Sequence, residues 1–260
     1  MPVGGDWTPL KREATDFAQS AGSGSVAPQS LLRHYIKART RAGSLGGGGG
    51  GSGGGSAGER SGGGGGGSGG GGHGRGRAGG AWSAGLATAQ NVGGFISRVS
   101  DVGLAEALRE VGLSDLVGKP SAEVSGALLD KLASPANTLD EAAARQALVK
   151  LNDELLAEAQ TFEEMEQALT KTGLVDVLVR FFGHYLYECF CRDFYERLLK
   201  KVGSAKANQS LKSIKDCIDA ALKAKLANRD AAKFDWRGAE GRNISDQILK
   251  DVLDIFEVPA

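Results

Sequence analysis

The sequence predicts an all-α protein: a single helical domain of about six or seven helices, preceded by a glycine-rich disordered linker and a short helical N-terminal segment. Three observations carry this. Apolar residues recur at helical spacing through most of the chain. No segment alternates apolar and polar residues long enough to compete as a strand. The periodic stretches also carry helix start and stop signals, two capping boxes among them.

The pattern is interrupted once, by GGGGGGSGGGSAGERSGGGGGGSGGGG, Gly46 to Gly72. The 38 positions from Gly43 to Gly80 hold 25 of the chain's 41 glycines, and Leu45 is the one apolar residue there larger than Ala. Such a stretch cannot bury enough to offset its backbone entropy, so it reads as a linker. Glu59-Arg60 and the run His73-Gly-Arg75-Gly-Arg77 break any repeating unit, which marks natural low complexity rather than a cloned spacer. As a flexible coil it would span about 35 Å, enough to let what it tethers explore a domain surface. The expected organisation is an N-terminal helical arm over 1–43, the linker over 44–83, and a helical domain over 84–260.

In the arm, Thr8-Pro9 reads as an N-cap and first turn, followed by Leu10, Ala14, Phe17, Ala18 and Ala21 on one face. A second start at Pro28 leads Leu31, Leu32, Tyr35, Ile36 and Ala38 toward Gly43. Two short helices bury little alone, so they would pair, dock on the domain, or stay partly disordered until a partner arrives.

In the domain, Phe95, Ile96, Val99, Val102, Ala105 and Leu108 form a first face, loosened at Gly103. Pro120-Ser121 opens a second helix carrying Val124, Leu128, Leu129 and Leu132. Thr138-Leu-Asp-Glu141 and Thr161-Phe-Glu-Glu164 fit the capping box, each starting a helix. From Leu174 to Val202 the apolar stripe, with Phe181, Phe182, Tyr185, Phe190 and Phe194, is so wide that this helix must be central. Helices over Leu211 to Leu226 and Ile244 to Phe256 complete the set.

Formal net charge is zero, yet residues 1–91 carry nine Lys and Arg against four Asp and Glu, and residues 92–260 carry 22 against 27. The arm can therefore attract its own domain weakly and in a salt-sensitive way, or Arg39, Arg41, Arg75 and Arg77 merely keep a tail soluble. Two Arg-Gly steps without interleaved aromatics are a weak RNA signal, and direct nucleic-acid binding is not expected. Three cysteines, Cys189, Cys191 and Cys217, make no disulfide framework, no signal peptide is evident, and no apolar stretch has membrane-spanning length. A soluble cytoplasmic chain without membrane contact is expected.

Catalytic constellations are not found. His34, His73 and His184 are the only histidines, and two lie in the arm or linker. His184, Glu188 and Cys191 share a helical face at i, i+4 and i+7, a conceivable metal face, but core packing explains that face better and neither metal nor cofactor is expected. Gly112 to Ser121 resembles a phosphate loop at a glance and fails in spacing, with Pro120 where the hydroxyl residue belongs. The chain reads as a non-catalytic adaptor. Its candidate partner-binding residues are Trp7, a staple at a helix entry or a docking plug, and Phe234, Trp236 and Arg237, in an aperiodic stretch between two helices. Stapling Phe234 and Trp236 onto the core is the plainer alternative.

Three segments, GLSDLVGKP (112–120), TLDEAAARQAL (138–148) and FFGHYLYECFCRDFYERL (181–198), make residues 84–260 resemble the B component of the Qat anti-phage defence systems. The resemblance implies a bacterial defence protein acting beside an ATPase, a deazaguanine synthase homologue as C component, and a TatD-like nuclease, with no catalytic site of its own. It further implies a protein substrate: a synthase of that kind activates a carboxylate with ATP and passes it to an amine, and a mobile glycine-rich arm would deliver the N-terminus to it. Family members begin Met-Gly-Thr-Ser, whereas this chain begins Met1-Pro2-Val3, so Met removal would present the secondary amine of Pro2. Two other roles fit the same residues: a purely structural scaffold bridging the ATPase and the synthase-like enzyme, and a helical toxin or effector restrained by its arm.

Overall fold

The computed structural model describes residues 7–20, 26–45, 79–133, 136–226 and 239–256. These contain nine α-helices, one short 3-10 turn and no strand. The helices are α1 (Thr8–Gln19), α2 (Pro28–Leu45), α3 (Gly79–Val102), α4 (Leu104–Glu110), α5 (Ser121–Leu132), α6 (Leu139–Leu155), α7 (Phe162–Lys171), α8 (Leu174–Leu226) and α9 (Ala239–Asp254).

α8 is central, meeting α1, α2, α3, α6 and α9. Phe181, Phe182, Tyr185, Phe190, Phe194 and Leu198 are all at most 1% exposed, as the wide stripe requires. The element is not one straight rod: Gly203, at φ +79°, breaks it into arms 174–202 and 204–226. Only glycine takes that backbone conformation without strain. The second arm folds back along the first, so that Ile218 and Leu222 come against Gly183. Gly103, at φ +86°, does the same between α3 and α4, where the backbone N–H of Leu104 donates to Glu166 Oε1 of α7 at 2.7 Å. The sequence's loosened first helix is therefore two helices.

α6 lies antiparallel to the first arm of α8: Asp140 meets Arg192, Lys150 meets Glu188, and Glu154 meets both Arg180 and His184. Both predicted capping boxes form. Thr138 Oγ1 accepts from the Glu141 amide at 3.1 Å while Glu141 Oε2 accepts from the Thr138 amide at 2.8 Å, and Thr161 with Glu164 repeats the arrangement.

Several boundaries differ from the sequence reading. α1 is capped by Trp7 rather than Thr8, and α2 runs on to Leu45. α3 starts at Gly79, inside what composition assigned to the linker, and its Trp82 is 1% exposed. Glycine density hid that start; Ala81, Trp82 and Ala84 supply enough burial to pull the last glycines into the helix. Residues 46–78 lie outside the described residues.

The largest difference concerns the arm. α1 and α2 pack on each other and against α8 and α3. Leu10, Phe17, Leu31, Leu32, Tyr35 and Ile36 join the same buried core as the residues after 84. α1 runs parallel to α8, with the Arg197 Nε donating to the Lys11 carbonyl at 3.1 Å and Lys206 reaching the Gln19 carbonyl at 3.5 Å. Of the alternatives open to the arm, it pairs and docks on the domain, and it does so by core packing rather than by weak charge attraction alone.

Gly85 and Gly183 set the closest approaches. A Cβ on Gly85 would overlap the fully buried Tyr185 ring, whereas a Cβ on Gly94, on the same helix, meets nothing within 4 Å. Gly85→Ala is therefore expected to destabilise the protein by about 1–3 kcal/mol through overpacking, and Gly94→Ala to stabilise it by a few tenths up to about 1 kcal/mol through helix propensity. Urea denaturation of both variants against the parent measures the difference.

Candidate functional site

Arg39 stands where α2 crosses α3, α6 and α8. It continues the buried face of α2, four residues after Tyr35, and is 4% exposed. Its guanidinium engages the Asp140 carboxylate, donates from Nη2 to the Ala81 carbonyl at 3.0 Å and approaches Asp193 Oδ2 at 3.4 Å from Nη1. It also stacks over Trp82, with 4.6 Å from its carbon to the ring centroid. Trp82 Nε1 in turn donates to Thr40 Oγ1 at 3.3 Å.

Arg192 balances the charge. Its Nε donates to Asp193 Oδ1 at 2.9 Å and its Nη1 lies 3.4 Å from Asp140 Oδ1. Tyr35 donates its hydroxyl to Asp193 Oδ2 at 2.9 Å. Burial holds the Tyr35 phenol well above its ordinary pKa, against the pull of Arg39, and pushes the Cys189 thiol up to about 12. Both are thus neutral at pH 7, so the cluster holds two guanidinium groups against two carboxylates. A buried charge is tolerated when paired in this way and costly when its partner is removed.

A second concavity, about 960 Å³, opens between α6 and the two arms of α8, lined by Lys150, Glu154, Arg180, His184, Lys215 and Asp219 among others. The metal face suggested by His184, Glu188 and Cys191 is divided here among separate partners. His184 Nε2 lies 3.0 Å from Glu154 Oε2, Glu188 pairs with Lys150, and Cys191 is hydrogen-bonded to Tyr187, with its thiol pushed up to about 11 by burial. Burial alone would raise the Glu154 carboxyl, but His184 and Arg180 hold it below the usual carboxylate range. Among the described residues, no three His, Cys, Asp or Glu side chains are placed to hold a metal ion. The loop that resembled a phosphate binder ends at Ser121, whose backbone N–H donates to the Gln160 carbonyl at 3.1 Å.

Of the partner-binding residues read from the sequence, Trp7 lies in the core, 8% exposed, edge-on to Tyr35 with ring centroids 6.1 Å apart. It fixes the start of α1 to α2. Pro2, Phe234, Trp236 and Arg237 lie outside the described residues. The residue that sequence reasoning missed is Arg39, read only as one of the arm's surface charges, attracting the domain weakly or keeping the tail soluble. Its phase on α2, in register with Leu31, Leu32, Tyr35 and Ile36, was the available signal.

These features define an all-α protein in which an N-terminal helical hairpin is clasped to the body by a buried, charge-balanced cluster. The family model for the Qat anti-phage system associated protein QatB matches residues 73–256. The chain belongs to the QatB family, and its role lies in Qat anti-phage defence. No curated protein and no solved structure matches it. The family match begins after α2, so the clasped hairpin lies upstream of the matched region. Among the described residues, no helix is long and apolar enough to cross a membrane.

Removing Arg39 leaves two partly buried carboxylates facing one guanidinium. Arg39→Met is expected to cost about 3–5 kcal/mol, and Arg109→Met, which breaks the exposed Arg109–Glu106 pair, less than about 1 kcal/mol. In the double variant Arg39→Met/Asp193→Asn the charges balance again, so its cost should fall below the sum of the single costs. Denaturant midpoints of the parent, these three variants and Asp193→Asn alone check this.

Proposed function

We propose that the chain is a non-catalytic component of a Qat complex that binds the system's deazaguanine synthase-like enzyme and serves as its N-terminally modified protein substrate. The observation that carries this reading is Trp7. With its ring packed on Tyr35, Trp7 is a fixed point on the body immediately after residues 1–6.

That anchor changes how delivery works. A tether over 46–78 is not needed to bring the N-terminus to the enzyme, because the arm it was expected to carry is built into the core. The ends of that segment are close together. Thr40 is hydrogen-bonded to Trp82, and Leu45 and Gly79 each lie within roughly two helical turns of that contact. Pro2, five residues before Trp7, reaches no farther than about 17 Å from it. Presentation therefore depends on residues 1–6, held at a fixed origin, with the rest of the protein as a rigid grip for the partner. In the transfer itself, the synthase-like enzyme would adenylate a carboxylate with release of pyrophosphate. The chain's N-terminal amine would then attack that acyl group, AMP would leave, and the nitrogen's proton would pass to solvent or an enzyme base, leaving an amide.

The ATPase and the TatD-like nuclease are further partners on this reading, reached through the complex rather than through the N-terminus.

Intact-mass analysis of the C-terminally tagged protein, co-expressed with and without the synthase-like enzyme, tests the proposal. The expected result is a mass increase that maps to the first six residues and appears only with the enzyme. Co-purification with an unchanged mass would leave a scaffold and remove the substrate role.

A further inference from the structure

If the N-terminus enters an active site from a fixed origin about 17 Å deep at most, the enzyme must come to the surface around that origin. This inference rests on the substrate reading above. α1 and α2 supply that surface. α1 runs parallel to the first arm of α8, with Trp7 beside Tyr35 and Lys11 on Arg197, while α2 runs antiparallel to it, from Tyr35 on Phe190 and Phe194 to Thr40 on Trp82, which packs against Tyr185. The two helices are thus antiparallel, and the start of α1 stands level with Tyr35, within about two helical turns of Lys37 and Arg41.

On α2, His34, Lys37 and Arg41 recur at i, i+3 and i+7, and all three are exposed. Arg12 is exposed on α1. The acidic groups of the two helices are Glu13, held by His34 Nδ1 at 2.8 Å, and Asp16. Arg39 points inward and is neutralised by the body, so the positive charge left on the exterior is that of the outward stripe. The α6–α8 concavity differs: its Lys150 and Arg180 are each committed to a glutamate, and Asp153, Asp176 and Asp219 line it as well.

We propose that the outward face of the α1–α2 hairpin, centred on Lys37 and Arg41, docks an acidic protein surface that surrounds the amine-accepting pocket of the modifying enzyme. Complementary charge at such a rim acts mainly on the association rate and loses its effect in salt. The same basic stripe lies within about two helical turns of Tyr35, against which Trp7 packs, so one encounter places the enzyme at the point where residues 1–6 join the body.

The test measures association of the purified synthase-like enzyme with three full-length proteins: the parent, Lys37→Glu/Arg41→Glu, and Lys215→Glu/Lys223→Glu in the concavity. The expected result is a slowing of association by about tenfold or more for the hairpin variant at low salt, shrinking toward the parent's rate at 0.5 M salt, with the concavity variant unchanged. Mass addition at the N-terminus should slow in the same order. Parent-like association of the hairpin variant, or equal slowing in both variants, overturns the proposal while leaving the substrate role standing. Failure of the parent itself to bind or to gain mass overturns both.

Discussion

The structure depends on a charged side chain placed where chains normally put leucine. Arg39 lies within the buried face of a helix and is reached by Asp140 of α6, Asp193 of α8 and the carbonyl of Ala81 in α3. Taking such a charge out of water is expensive, and the cost is offset only while all of these partners are present. That requirement makes the position selective. A hydrophobic residue would hold α2 against any apolar face, whereas the guanidinium fits only where two carboxylates, a free carbonyl and an indole face meet. The cluster therefore fixes the register of the hairpin on the body as well as its presence there.

Register is also set by glycine. Gly203 turns α8 back on itself, Gly183 lets the returning arm approach, and Gly85 lets α3 lie on the Tyr185 ring. The first arm of α8 is enclosed along most of its length as a result, and the hairpin closes its remaining side. Tyr35 sits at that closure, edge-on to Phe190 and Phe194 at 5.3 and 5.7 Å and to Trp7 on the other side. Aromatic packing and the ion cluster thus meet on a single residue, whose ring belongs to the core and whose hydroxyl belongs to Asp193.

Much of this was legible in the residues. The all-α class, the centrality of α8 and both capping boxes follow from local periodicity and cap chemistry, which act within a few residues of each other. The family was legible too, from three motifs on α6, α8 and the turn before α5. What local reasoning could not supply was partnership across the chain. Arg39 and Asp140 are a hundred residues apart, and nothing near Arg39 announces a carboxylate. The glycine run compounded this, since a tether suggests two independent bodies and conceals that Trp82, just beyond it, packs on the Arg39 of the segment before it. Trp7 shows the opposite case: its place beside a helix start was read as a staple or a docking plug, and its position against Tyr35 is that of an internal anchor.

The central claim is that hairpin and body form one folded unit, which gives the N-terminus a fixed origin. It is tested most directly by cutting the chain between them. A protease site inserted among the glycines between Gly62 and Gly67 would allow the connection to be severed in the folded protein. The account predicts that the cut protein elutes as one species with the hairpin retained and unfolds in a single transition. Elution of the hairpin as a separate peptide, from a body that stays folded without it, would contradict it.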